Sequence, residues 1–158
     1  MKINLIVIGK TTGDWLIRGI GEYAGRLKHY TDFTITELAG IRGASSIPMA
    51  RLQEEESRML AKMLESYDKV VLLDERGSEM GSVEFSAFMQ KSMNGGVRRM
   101  AFVVGGAYGF SDEFRAKGYP MVSFSKMTFS HQMIRLLFTE QLYRAFTILK
   151  GEPYHHTG

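Results

Sequence analysis

The chain has 158 residues, the size of one domain, with 44% hydrophobic residues, 23% charged residues and a formal net charge of +3. It contains no cysteine, which excludes disulfides, a thiolate zinc site and a cysteine nucleophile and fits a reducing cytoplasm. No apolar run is long enough to span a bilayer as a helix, and the mild basicity is compatible with a polyanionic partner.

The opening MKINLIVIGK lacks the charged region, apolar block and small-residue site of a signal peptide. It reads as a first strand over Lys2–Ile8. Residues 14–30 predict a helix, with Asp14 as N-cap and Leu16, Ile20, Tyr23 and Leu27 on one face. Residues 33–38 alternate like a half-buried strand. Residues 40–48 are rich in Gly and Ser around Arg42 and predict a loop, and 49–67 predict a second helix with Glu54, Glu55 and Glu56 early in it. Residues 69–73 form a short continuous apolar run, of the kind buried on both faces of a parallel sheet. A helix over 82–93 follows, then a buried strand over Arg99–Val104 that ends in Gly105-Gly106-Ala107-Tyr108-Gly109. Ser111 caps a short helix over 111–117, a strand covers 121–125, and the longest helix covers 130–150.

Strands alternating with helices predict a parallel α/β sheet covered on both sides, in a single domain over 1–158. The last helix is apolar around most of its circumference, with Met133, Leu136, Phe138, Leu142 and Phe146 among its residues. A helix of that kind is covered on more than one side, so a homodimer is expected.

Ligands of open α/β sheets bind beyond the carboxyl ends of the strands. Three such ends carry unusual residues here: 73–75, 105–109 and 123–129. The glycine run lets backbone approach a ligand, but its spacing matches neither the dinucleotide fingerprint nor a P-loop, and a tight strand-to-helix turn explains it equally well. Ser123, Ser125, Thr128 and Ser130 place hydroxyls near backbone amides, although a plain helix cap accounts for them too. Asp74 and Glu75 are acceptors for ribose hydroxyls or parts of a solvated turn. In the tail, Tyr154 has the shape to stack on a base and His155 the groups to hydrogen-bond one; a frayed terminus is the alternative. His155 and His156 are neighbours with no acidic partner spaced nearby, so no metal is expected, and a metalloenzyme built on His131, His155 and His156 is the least favoured reading. Arg135 and Arg144 interrupt an otherwise apolar helix and are candidates for phosphate contacts.

These pieces match one family. The opening KINLIVIGK, the strand VVLLDERG, the loop VVGGAYGF, the block SFSKMTFSHQMIRLLFTEQLYRAF and the ending GEPYH run nearly end to end. In them the chain resembles the bacterial 23S rRNA pseudouridine N3-methyltransferases, small members of the SPOUT superfamily. The resemblance implies an α/β sheet with a C-terminal trefoil knot, a homodimer with each active site between two protomers, and S-adenosylmethionine as cofactor. It implies that Leu73 and Gly105 hold the cofactor together with Phe124, Ser125, Lys126, Met127, Thr128 and Phe129. It places Tyr154 and His155 on the catalytic, RNA-facing side, with Arg135 and Arg144 as RNA or dimer contacts. The implied partner is 23S rRNA in the large subunit or the assembled ribosome. The chain departs from the family at Ser130, where a Pro is common, and at His156, where a basic residue is usual, with Thr157 and Gly158 added. A methyltransferase of the same fold acting on tRNA and a non-catalytic RNA-binding or ribosome-assembly module are the alternatives.

Overall fold

The computed structural model describes residues 1–156. In chain order it contains β1 (Lys2–Ile8), α1 (Asp14–Leu27), β2 (Asp32–Leu38), a 3-10 turn (Ala44–Ser46), α2 (Met49–Leu64), β3 (Lys69–Glu79), α3 (Ser82–Asn94), β4 (Arg99–Val104), α4 (Asp112–Arg115), β5 (Met121–Ser123) and α5 (Met133–Lys150). The five strands form one sheet in the order β2-β1-β4-β3-β5. Every pairing is parallel. All strand ends of one polarity therefore lie along one edge.

Side-chain alternation explains the layers. On one face Ile3, Leu5, Val71 and Phe102 pack against Leu27 of α1, Phe85 and Met89 of α3, and Phe138, Leu142 and Phe146 of α5. On the other, Ile6, Leu72 and Val103 pack against Leu60 and Leu64 of α2 and Phe114 of α4. Burial on both faces is why β1, β3 and β4 read as continuous apolar runs. Among the described residues no helix is long and apolar enough to cross a membrane.

Several boundaries differ from the sequence expectations. Gly13, with φ 88°, occupies the N-cap of α1, and Asp14 is the first helical residue, where its charge complements the helix dipole. The second helix stops at Leu64, and beyond it the Asp68 carboxylate accepts the amides of Arg98 and Arg99 at 2.9 and 2.8 Å, tying the entry of β3 to that of β4. β3 runs on to Glu79 with a register shift between Leu73 and Ser78, beyond the end at residue 73 that the apolar run predicts. α5 starts at Met133, whose amide donates to Ser130 Oγ at 3.1 Å.

The apolar girth of α5 is met largely inside the chain. Phe138, Leu142, Ala145 and Phe146 are buried in the core shared with α1 and α3, and Leu136 lies against Gly19 of α1. A second protomer is not needed to cover those residues.

Candidate functional site

A cavity of about 430 Å³ opens beyond the carboxyl ends of β3, β4 and β5, within the size range of small-molecule sites. Its walls are the three segments that the sequence singled out: Leu73–Glu75, Val104–Phe110, and the stretch from Val122 to His131 without Lys126.

The middle wall is a loop folded on itself. Gly106 and Gly109 form an isolated bridge, and the Gly109 amide donates to the Gly106 carbonyl at 3.0 Å. A Cβ on Gly105 would lie 2.9 Å from the Gly109 carbonyl carbon and 3.2 Å from the Phe110 nitrogen. Only glycine fits, and the resulting wall presents backbone to the cavity.

The wall after β5 is organised by hydroxyls. Ser123 Oγ donates to the Ser125 carbonyl at 2.8 Å, and the Met127 amide donates to Ser125 Oγ at 2.9 Å. Thr128 Oγ1 is hydrogen-bonded to Glu75 across the cavity mouth. Among the described residues the amides of Lys126, Thr128 and Phe129 donate to no protein acceptor. Met127 is 76% exposed and Phe129 stands at the rim.

In the third wall, Asp74 is already engaged. Its carboxylate accepts from Arg115 Nε at 2.8 Å and from the Arg76 amide at 2.9 Å, so Glu75 is the acid on this wall still exposed to a ligand. Arg115, 41 residues away in sequence, lines the cavity through that pair and was missed by sequence reasoning. His131, named in the sequence only as a member of the least favoured metal reading, lines the cavity; burial, then the positive charge of Arg135, lowers its pKa.

Six of the residues after β4 and β5 assigned to the cofactor (Gly105, Phe124, Ser125, Met127, Thr128, Phe129) line the cavity, as does Leu73. Lys126 does not; it faces a neighbouring depression with Glu79 and Glu84.

Arg135 is a correction. It is fully buried, and its guanidinium donates to the carbonyls of Ile8 (2.8 Å), Gly9 (3.0 Å) and His131 (3.0 Å) and to Thr11 Oγ1 (2.9 Å). A side chain spent on the end of β1 and the start of α5 is an internal strut, out of reach of an RNA phosphate. Arg144 is half-buried, bonded to Glu140 at 2.5 Å, with its guanidinium 4.6 Å from the Tyr154 ring centroid.

The tail is tied down as far as Tyr154. Glu152 is bonded to Tyr30, and the Tyr154 hydroxyl donates to Glu140 Oε1 at 2.9 Å and lies 3.4 Å from the Tyr23 hydroxyl. Burial, then the hydrogen bonds to Tyr23 and Glu140, holds the Tyr154 pKa far above the usual tyrosine range, so it stays protonated. His155 Nδ1 is buried with no hydrogen-bond partner. Neither Tyr154 nor His155 lines the cavity. The expectation about Thr157 and Gly158 lies outside the described residues. Among the described residues no group of three His, Asp or Glu side chains is placed to hold a metal ion.

A parallel sheet with a glycine-walled cavity beyond three strand ends defines an α/β protein that binds a small ligand against backbone. The chain belongs to the SPOUT methyltransferase family: the family model described as "Predicted SPOUT methyltransferase" matches residues 1–155. It is 45% identical over 156 residues to "Ribosomal RNA large subunit methyltransferase H" of Geotalea uraniireducens, covering 99% of this chain and 100% of that one. It is 49% identical over 156 residues to the protein of the same name from Porphyromonas gingivalis strain W83, covering 99% of each. The fold is similar to that of a probable methylase family protein from Haemophilus influenzae Rd KW20, with a TM-score of 0.56 and 12% identity over 98% of this chain and 70% of that one.

Proposed function

We propose that this chain is a cytoplasmic homodimer that transfers a methyl group from S-adenosylmethionine to N3 of a pseudouridine in the 23S rRNA of the large ribosomal subunit. The observation that carries this is the cavity itself: the three strand ends that match the family motifs converge on one glycine-walled space, in a chain nearly half identical end to end to proteins named as large-subunit rRNA methyltransferases. One domain over residues 1–158 and a C-terminal knot are part of the same proposal. The single sheet supports the first, and the return of the chain from edge strand β5 to α5, packed between α1 and α3, supports the second.

The walls fit the donor. Leu73, Val104, Phe110, Val122 and Phe124 offer an apolar slot for a flat base, and the free amides of Thr128 and Phe129 offer donors for its edge. The absence of Cβ atoms at 105 and 106 lets the loop close on Gly109 and on Glu56 behind it, and the folded loop is the wall that a bent ligand would meet. When bound, S-adenosylmethionine supplies a sulfonium methyl group that leaves a neutral thioether behind. The protein then has two tasks: to align the nucleophilic nitrogen, methyl carbon and sulfur, and to take the N3 proton. Alignment alone contributes up to about 7–11 kcal/mol. Tyr154, held protonated and bonded to Glu140, fixes the position of the tail, and His155 beside it is the residue we assign to accept the proton.

Within one protomer Tyr154 packs on Glu140, Tyr143 and Arg144, beyond the start of α5 where His131 and Ile134 line the cavity. A site that uses both the cavity and the tail therefore draws the tail from a second copy. The exposed large hydrophobics support such docking. Trp15, Ile17, Met49, Val83, Tyr108, Met127 and Phe129 all follow the carboxyl ends of strands, along the edge that carries the cavity.

The test is incubation of the purified protein with labelled S-adenosylmethionine and separated large subunits, naked rRNA and tRNA. Label is expected in rRNA of assembled subunits. Label confined to tRNA would favour the alternative substrate, and no donor binding by calorimetry would leave an RNA-binding module.

A further inference from the structure

The 105–110 wall of the cavity is packed from behind on one face of α2. Gln53, Glu56 and Ser57 are spaced i, i+3 and i+4 and share that face. Gln53 Nε2 donates to the Tyr108 carbonyl at 2.9 Å and lies 3.4 Å from the Phe110 carbonyl. Ser57 Oγ lies 3.3 Å from Ser111 Oγ, which in turn accepts the Phe114 amide at 3.1 Å and caps α4. Between these two attachments Glu56 is buried, and its carboxyl oxygens lie 2.5 Å from the place a Cβ on Gly106 would occupy.

Glu56 is the unusual member. Among the described residues its carboxyl makes no hydrogen bond and no ion pair with the protein, and its oxygens keep a little contact with solvent although the residue is buried. Burial pushes its pKa up, toward the uncharged form. A side chain with no partner to hold acts through the space it fills. Here that space lies directly under the glycine loop, whose own bonding is one amide-to-carbonyl contact across the Gly106–Gly109 bridge.

We propose that Gln53, Glu56 and Ser57 are positioning residues for the methyl donor, propping the 105–110 loop from behind at the distance that shapes the cavity; this rests on the cavity being the donor's. Gln53 holds the loop at Tyr108 and Phe110, Ser57 holds Ser111 just beyond it, and Glu56 sets its depth at Gly106. Without the prop the loop sinks toward α2 and loses contact with the donor, while the RNA-facing tail is untouched.

Calorimetric titration of the full chain with S-adenosylmethionine tests this in the parent, Glu56→Ala, Glu56→Gln and Gln53→Ala. Glu56→Ala is expected to weaken donor affinity about tenfold and Gln53→Ala about threefold. Glu56→Gln, of the same shape, is expected to restore affinity to within about twofold of the parent. In turnover the donor KM of Glu56→Ala rises while the RNA KM stays the same, a split that general loss of stability does not produce. Parent-like binding by both alanine variants overturns the proposal, as does a loss in Glu56→Gln as large as in Glu56→Ala, which would assign the effect to charge. Should Glu56→Ala fail to fold, the partly exposed Gln53→Ala decides. A parent that binds no donor overturns the assignment of the cavity, a separate failure visible before any variant is compared.

Discussion

Arg135 is the largest side chain fully buried among the described residues, and it carries four hydrogen bonds that join the end of β1 to the start of α5. Replacing it with Met keeps the volume but leaves the carbonyls of Ile8 and Gly9 without their donor. Loss of a buried, hydrogen-bonded charge on this scale is expected to destabilise the protein by ~3 kcal/mol. Urea denaturation checks it, and a loss under ~1 kcal/mol would mean that water replaces the guanidinium there. Glu56 gives a pH prediction of definite sign. Its pKa is raised in the folded state by burial, so the folded chain binds its proton more tightly than the unfolded chain. Its stabilising contribution is full at acid pH, below the unfolded value, and is lost as pH rises through the folded value. Glu56→Gln should therefore be more stable than the parent at neutral pH, with the gap closing as pH falls into the carboxylate range. A gap of constant size in denaturation curves across that range would contradict this.

At the scale of elements, β3 shows how a strand serves the site by continuing past it. After Leu73 it bends around the cavity wall and then pairs with β5 again through Ser78 and Glu79. Gly77 makes the second pairing possible, because a Cβ there would lie 2.6 Å from the Met121 carbonyl carbon and the Val122 nitrogen. Gly77→Ala should push β5 off and destabilise the fold by ~2 kcal/mol, measured by thermal unfolding; an unchanged transition would show that the edge strand tolerates the shift. The element order and the parallel sheet were legible in the sequence because apolar runs and helical periodicity are local signals. The three strand ends were legible as a site for the same reason: their glycines and hydroxyls are adjacent in the chain. The Asp74–Arg115 pair was not, since nothing local joins residues 41 apart. Nor was the role of Arg135, because a charge in an apolar helix reads equally as a phosphate contact or a strut until its direction is known. Lys126 was assigned to the cofactor by the family resemblance over residues 124–129, yet beside the turn around Ser125 and Met127 it lines a neighbouring depression.

At the scale of the molecule, the cavity and the tail belong to different protomers in this account, and mixed dimers test that. A dimer pairing one Gly105→Ala chain with one His155→Ala chain contains one site with both defects and one with neither. It should recover about half the parental rate per dimer, although each homodimer is nearly inactive; sites completed within a single chain would leave the mixed dimer as inactive as both parents. The mild positive charge and the exposed apolar edge fit a substrate read as a shaped surface, so assembled large subunits should be methylated far better than a short naked hairpin. The central claim is tested most directly by mass mapping of 23S rRNA from unmethylated large subunits after incubation with the protein and S-adenosylmethionine. The account predicts one added methyl group, on N3 of a single pseudouridine, and none when the donor is withheld. A methyl group on any other base or on a ribose, or no methyl group with donor demonstrably bound, would contradict it.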